Sequence, residues 1–457
     1  MELYGIQYQN NHQPRLDPGF VPFGKWAEAY RAEAHQPIAI GIERENGKIS
    51  VFHDCLRGEA YGEANLRYLE RKIKLLLWCV GGFRIYLCGC DALAEKIKAI
   101  YSLQGARAFD ADFMETVYER PLEVVACGEA DFPQEKEEAV SLGGHLNGCR
   151  IGFDAGGSDR KVSAVVDGET VYSEEVVWFP KLSEDPNYQY QGILEAFRTA
   201  ASKMPRVDAI GVSSAGVFVN NKAMVSSLFI KVPKERREEV KTVYERAARE
   251  IGGAPIAVAN DGDVTALAGA MSLDTGRVLG IAMGTSEAAG YVDGERKILG
   301  WLNELAFAPV DMQPEAPVDE WSGDAGVGCK YLSQDAVILL APRAGIELDE
   351  KLSLAEKLKA VQKLAEEGHE GAREVFRTVG CYLAHTLNLY ASVYDMGTVL
   401  VLGRVSAGIG GDLLIAECEK VLKEEYPELA AKTRVMLPDE KARRVGQSIA
   451  AASLPEV

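Results

Sequence analysis

Residues 149–168, Cys149-Arg-Ile-Gly-Phe-Asp-Ala-Gly-Gly-Ser-Asp-Arg-Lys-Val-Ser-Ala-Val-Val-Asp-Gly168, decide how the rest of the chain is read. Ile151 and Phe153 alternate with small residues up to Asp154, Ala155-Gly156-Gly157-Ser158 breaks the strand, and Val162–Val166 resumes it before an Asp167-Gly168 turn. Glycines in such a turn let backbone N–H groups approach a phosphate, and a carboxylate at a strand end can hold a magnesium ion or its waters. Taken alone, the segment fits an ordinary β-hairpin with a polar turn better than a phosphate grip. The downstream sequence reverses those odds.

A second strand-like run, Ala209-Ile-Gly-Val-Ser-Ser-Ala-Gly216, ends in small residues, and a charged helical stretch from Pro233 to Ile251 leads to a third, Pro255-Ile-Ala-Val-Ala-Asn-Asp-Gly-Asp263. Each strand ends in a loop able to line one cleft. Val264–Met271 then reads as a small-residue helix. Asp261, just beyond the third strand, is placed either to accept a proton from a substrate hydroxyl, as phosphoryl transfer requires, or simply to cap that helix. A fourth segment, Val278-Leu-Gly-Ile-Ala-Met-Gly-Thr-Ser-Glu-Ala-Ala-Gly-Tyr-Val-Asp-Gly294, repeats the strand, small turn, strand and Asp-Gly order of the first. Finally, Gly397-Thr-Val-Leu-Val-Leu-Gly-Arg-Val-Ser-Ala-Gly-Ile-Gly-Gly-Asp412 is a buried-strand pattern with a glycine-rich exit into a helix over Leu413–Lys423, a shelf for a nucleotide base.

In this order the five segments resemble the actin/hexokinase/sugar-kinase superfamily and, within it, the ROK family of sugar kinases and sugar-responsive repressors. The resemblance covers roughly residues 148 to 455. It implies a two-lobed α/β, ribonuclease H-like ATPase fold, with lobes at 148–270 plus 440–457 and at 271–439. It implies ATP and Mg2+ in the interlobe cleft, a sugar or amino-sugar acceptor, and a homodimer as the family expectation. By similarity, Asp154, Gly156, Gly157 and Ser158 form the first phosphate loop, Asp154 also taking the metal. Gly284, Thr285 and Ser286 form the second loop, and Gly403 and Arg404 open the adenosine loop. Asp261 becomes the general base, and Asn260, Asp263, Glu304 and Gly216 become acceptor contacts. Gly300–Asp311 is similar to the family's sugar-binding stretch, Gly328-Cys329 to the end of its cysteine cluster, and Arg444–Ala452 to its closing helix.

The chain also departs from the pattern. Phe307 stands where the family has a histidine, removing a hydroxyl-binding imidazole and a zinc ligand. Between Asp311 and Cys329 there is no other cysteine and no histidine, so the four ligands of a structural zinc are missing and no zinc is expected. Asp263 replaces an asparagine and brings a second carboxylate near Asp261, which raises the pKa of one of the two. Glu287 follows the second phosphate loop, where an anion facing a polyphosphate repels it. Arg404 replaces a glycine, positioned to stack on a purine or to block it. Lys161 is either a phosphate contact or a solvated hairpin lysine.

The 457 residues, 47% hydrophobic, suffice for about three domains of ordinary size. A formal charge of −18 argues against a broad nucleic-acid surface. No run of about twenty apolar residues and no signal-peptide pattern is present, which points away from a membrane and to the cytoplasm. Nine cysteines, an odd number, fit reduced thiols. Within 1–147, Pro37–His53 reads as a hairpin about Asn46-Gly47, Glu63–Trp78 as a helix, Phe83–Cys88 as a strand, Ala92–Tyr101 as a helix and Leu122–Ala126 as a strand. This region is either a degenerate copy of one lobe or a generic α/β accessory domain, with a linker over 128–147. Its basic run, Arg67–Lys74, reads as the solvated face of an amphipathic helix, and the region carries no recognisable helix-turn-helix.

Three functions fit these residues: an ATP-dependent sugar or amino-sugar kinase, a sugar or nucleotide sensor or scaffold that has lost chemistry, and an acceptor-independent ATPase acting on a partner protein. The presence of both candidate aspartates, Asp154 for the metal and Asp261 for the base, favours the first; Phe307, Glu287 and the absent zinc loop favour the second.

Overall fold

The computed structural model describes residues 1–137, 142–439 and 445–457. Part of the expected 128–147 linker, and Arg444 with its four predecessors, lie outside the described residues. The N-terminal region comprises α1 (Phe23–Arg31), β1 (Gln36–Glu43), β2 (Ile49–Leu56), α2 (Gly62–Val80), β3 (Arg84–Cys88), α3 (Asp91–Ile100), α4 (Ala108–Tyr118) and β4 (Glu123–Ala126). Asn46 and Gly47 turn the β1–β2 hairpin, both at positive φ (59° and 69°), the conformation an Asn-Gly pair supplies.

The glycine-bearing segment follows as β5 (Cys149–Ala155) and β6 (Asp159–Val166), joined by the Gly156-Gly157-Ser158 turn. They continue into β7 (Glu169–Val177), α5 (Pro186–Ala201), β8 (Ala209–Ser214) and β9 (Ile256–Asn260). α5 begins where Asp185 caps the Asn187 N–H at 3.1 Å and Pro186 takes the first turn. The sheet order is β9-β8-β5-β6-β7, with β5, β6 and β7 antiparallel and β8 and β9 parallel to β5. After α6 (Asp261–Leu273), the second lobe repeats the scheme with β10 (Val278–Met283), β11 (Glu287–Val292), α7 (Glu370–Tyr390), β12 (Thr398–Leu402), α8 (Gly408–Glu425) and β13 (Arg434–Met436). Its order, β11-β10-β12-β13, is that of the first lobe without the third strand. α9 (Gln447–Ala452) closes the chain.

The lobes meet along a seam of small residues. α6 packs on β10 and β11 of the second lobe, α9 packs on β5 and β8 of the first, and the two helices touch. A β-carbon on Gly152 would stand 1.7 Å from the Ser448 carbonyl oxygen, and one on Gly211 1.6 Å from that of Ala451, so only glycine lets the α9 backbone lie on the sheet. By packing, α6 belongs to this seam rather than to the first lobe, in which a boundary at residue 270 would leave it.

One sequence expectation, that of a solvated basic face, is corrected in the N-terminal region. Its strand order, β2-β1-β3-β4, imitates that of the second lobe, but β3 runs antiparallel to β1 where β12 runs parallel to β10. The two sheets thus share an order but not a strand direction. The basic face of α2 is not solvated: Lys72 and Lys74 are buried, and Lys74 and Arg71 pair with Asp324 of the second lobe at 3.3 and 3.0 Å. One continuous apolar core runs from Ile6 through α2 and α4 into the second lobe, whereas the first lobe has a core of its own. Among the described residues no helix is long and apolar enough to cross a membrane, and all nine cysteines are free thiols.

Candidate active site

Asp154 is the next-to-last residue of β5, where the parallel β8 brings Ser213 alongside it. The Ser213 hydroxyl donates to Asp154 Oδ1 at 2.9 Å and itself accepts from the Gln447 amide at 2.9 Å. The same amide donates to the Asp261 carbonyl at 3.0 Å, so one side chain at the start of α9 ties the two acidic segments together. Burial pushes the Asp154 carboxyl up to about 6; the Ser213 hydrogen bond opposes this and the Asp261 charge adds to it.

Asp261 opens α6, but it is not the cap. Asn260 is the cap: its Oδ1 accepts from the Gly262 N–H at 2.7 Å, while its Nδ2 donates to the Gly216 carbonyl at 2.7 Å. That frees the Asp261 side chain. Burial raises its pKa, while backbone N–H groups at the helix start and the Lys181 ammonium hold it down. Glu304, on the approach to a short turn over Leu305–Phe307, joins it. Burial lifts Glu304 to about 7, and the charges of Asp261 and Asp263 push the same way. Asp261 thus lies within reach of two other carboxylates, Asp154 on one side and Glu304 on the other.

The remaining expected contacts divide. Asp263 turns inward, with Oδ1 accepting from the Tyr291 N–H at 3.0 Å and the Asn303 amide at 2.8 Å. Burial lifts it to about 7, opposed by these bonds and reinforced by the Asp261 charge. Asn260, Gly216 and Asp263 line a cavity of about 540 Å³ along the β9 edge, whose far wall is the N-terminal turn at Glu45–Lys48. Gly403, Gly408 and Gln447 line a second cavity, of about 620 Å³, between α6 and the glycine-rich exit of β12. Gly284-Thr285-Ser286 forms the β10–β11 turn. Arg404 donates to the Thr285 hydroxyl at 2.8 Å, joining that turn to the adenosine-like loop.

Glu287 does not face this turn's solvent side. As the first residue of β11 it points into the second lobe, where it is 3% exposed and accepts only from the Tyr390 hydroxyl at 3.1 Å, its Oε2 unpartnered. Burial pushes it up to about 8, so the expected repulsion of a polyphosphate does not arise. Lys161 sits on the surface beside Glu175 at 3.7 Å. Phe307 is buried against Trp78 of α2 and Phe109 of α4, with ring centroids 4.4 and 5.3 Å apart. Cys329 lies 3.5 Å from Asp319, and among the described residues no group of three or more metal-ligating side chains forms.

Sequence reasoning missed Ser213, Gln447 and Lys181. The first two are anonymous polar residues whose importance comes from what the fold sets beside them. Lys181 follows β7 in an exposed turn, and nothing local distinguishes it from a solvated lysine.

The fold with these two sheets, two glycine turns and a carboxylate-lined cleft is that of the actin/hexokinase-like sugar kinases. No family model matches the chain, and no curated protein matches it. Among solved structures, the chain is similar to a ROK hexokinase from Thermus thermophilus (18% identity, TM-score 0.51, covering 67% of this chain and 97% of that one). It is also similar to a ROK family transcriptional regulator, a homologue of the E. coli MLC protein (18% identity, TM-score 0.52, covering 68% of this chain and 79% of that one). Both likenesses establish the fold.

Proposed function

We propose that the chain is an ATP-dependent kinase that phosphorylates a hydroxyl of a sugar or amino sugar. The observation that carries this reading is that Gln447 and Ser213 tie Asp154, beside the Gly156-Gly157 turn, to the start of α6 at Asp261, with Glu304 close enough to feel the Asp261 charge. Asp261 acts as the general base. With Asn260 serving as the cap, its carboxylate is more basic than a free aspartate, which suits it to take a proton from an alcohol as the phosphorus–oxygen bond forms. Glu304 binds acceptor hydroxyls and rejects analogues lacking them. The two glycine turns offer N–H groups to the phosphates, and the 620 Å³ cavity receives the nucleoside.

Magnesium fits Asp154: a carboxylate at a strand end, with Ser213 fixing one oxygen and no described donor on the other, is a hard-oxygen ligand set. When bound, the ion would supply charge neutralisation to the phosphates. The decisive experiment is a sugar panel with ATP, with Asp261→Asn as control. Turnover lost by about 10²-fold or more in the variant supports the kinase; no turnover with any sugar overturns it.

A second reading, a catalytically impaired sensor, draws on Phe307, which the N-terminal region has taken into its packing so that no imidazole faces the cleft. Nucleotide or sugar binding without turnover would select it.

A further inference from the structure

Lys181 is the one feature of the cleft that neither the glycine turns nor the carboxylates account for. Its turn, Pro180–Leu182, is held against the first phosphate loop by buried groups. The Trp178 indole N–H donates to the Gly156 carbonyl at 2.8 Å and the Asp159 carbonyl at 3.0 Å, and the Trp178 backbone N–H donates to the Ser158 carbonyl at 3.1 Å. From the other side Gln189, fully buried, donates to the Pro180 carbonyl at 2.9 Å. These bonds fix where the lysine starts. Its end lies across the glycine turn: a β-carbon on Gly157 would come within 2.6 Å of Lys181 Cε and 2.9 Å of Nζ. The ammonium also acts on Asp261, opposing the rise that burial imposes. Among the described residues no carboxylate forms an ion pair with it, unlike Lys161, which Glu175 meets on the surface. A cation that lies against the phosphate turn and within reach of the base's charge, with no ion-pair partner among the described residues, stands where the transferred group must pass.

We propose that Lys181 is a catalytic residue that holds the transferring phosphoryl group; the assignment rests on the kinase reading above. In the step, the bond from the terminal phosphorus to the bridging oxygen breaks, and its electron pair leaves with the nucleoside diphosphate. A bond from phosphorus to the acceptor oxygen forms, and the acceptor proton passes to Asp261. Lys181 balances the charge spread over the equatorial oxygens. Its charge also favours the Asp261 carboxylate and so lowers the pH at which the base becomes active.

The test compares Lys181→Met, Lys181→Arg and Lys161→Met with the wild type, by steady-state kinetics across pH and by calorimetric titration with the non-hydrolysable analogue AMPPNP and magnesium. Lys181→Met should lower kcat by about 10²- to 10³-fold, as loss of a transition-state donor does, with the sugar KM within about two-fold. Its acid limb should move to higher pH. Lys181→Arg should recover part of the rate without the shifted limb, and Lys161→Met should match the wild type. A Lys181→Met enzyme within about three-fold of wild type, with its limb unmoved, overturns the assignment and leaves the kinase standing. A wild type that binds no AMPPNP overturns the nucleotide reading and the role of Lys181 with it. Lys181 is exposed, so a thermal melt coinciding with wild type shows the variants are folded.

Discussion

Glu287 is a carboxyl buried with a single donor, and its environment makes stability depend on pH. Burial raises it to about 8 in the folded chain, against an ordinary value near 4.3 when unfolded. Between those values the unfolded chain releases a proton that the folded chain keeps. The group's contribution is therefore full below the unfolded value, declines as pH rises through the window by up to about 1.4 kcal/mol per unit, and is gone above the folded value. Glu287→Gln carries no such proton. Urea midpoints measured from pH 5 to 8 should fall more steeply for the wild type than for the variant; parallel lines would refute this. Glu287 also marks where sequence reading stops. The Gly156-Gly157 turn and Asp154 are legible because the residues that make the site are neighbours in the chain. Whether Glu287 faces phosphate or core depends on which side of β11 it occupies and on Tyr390, far downstream.

At the scale of elements, the strands and helices of the two lobes follow from period and punctuation, and so do β1, β2, α2, β3, α3 and β4. α4 does not, because its buried face is broken by a charge: Phe109 and Phe113 reach Phe307 while Asp110 is buried beneath Lys74. The charged face of α2 misleads for the same reason, since its partner lies some 250 positions away. Asp324 meets Arg71 at 3.0 Å, Lys74 at 3.3 Å and Arg107 at 2.6 Å. Burial alone would raise its pKa, but the three cations override it and hold the carboxyl well below the usual range. Removing it would leave Lys74 to Asp110 and Arg107 to Glu70, with one positive charge in excess in a buried cluster. Asp324→Ala should cost about 3–5 kcal/mol in denaturant unfolding, the penalty of breaking a buried ion cluster. A loss under about 1 kcal/mol would mean that water reaches this junction and the pairs are surface-like.

At the scale of the molecule, three apolar cores define two bodies. The N-terminal region and the second lobe share one core, the first lobe has another, and the α6–α9 seam joins them. Across the cleft the N-terminal region meets the first lobe through polar pairs, Asn46 to Asn220 at 3.0 Å and Glu119 to Lys241 at 2.6 Å, and through Val217, Val219 and Val225, which pack against the core it shares with the second lobe. Exposed polar pairs of this kind hold about 1 kcal/mol or less each, so the valine contacts carry most of this junction. The N-terminal region is then a structural half of the second lobe, with Trp78 and Phe113 packed on Phe307 and its cations on Asp324. A fragment of residues 148–457 would bare Phe307 and its neighbours and leave Asp324 without its cations. It should aggregate, or elute expanded with a weak near-UV spectrum, and co-expression of residues 1–147 should restore a single sharp unfolding transition. If instead the fragment is monomeric, unfolds cooperatively and retains activity, the N-terminal region is a detachable accessory. The shared core would then be an interface between separately stable units.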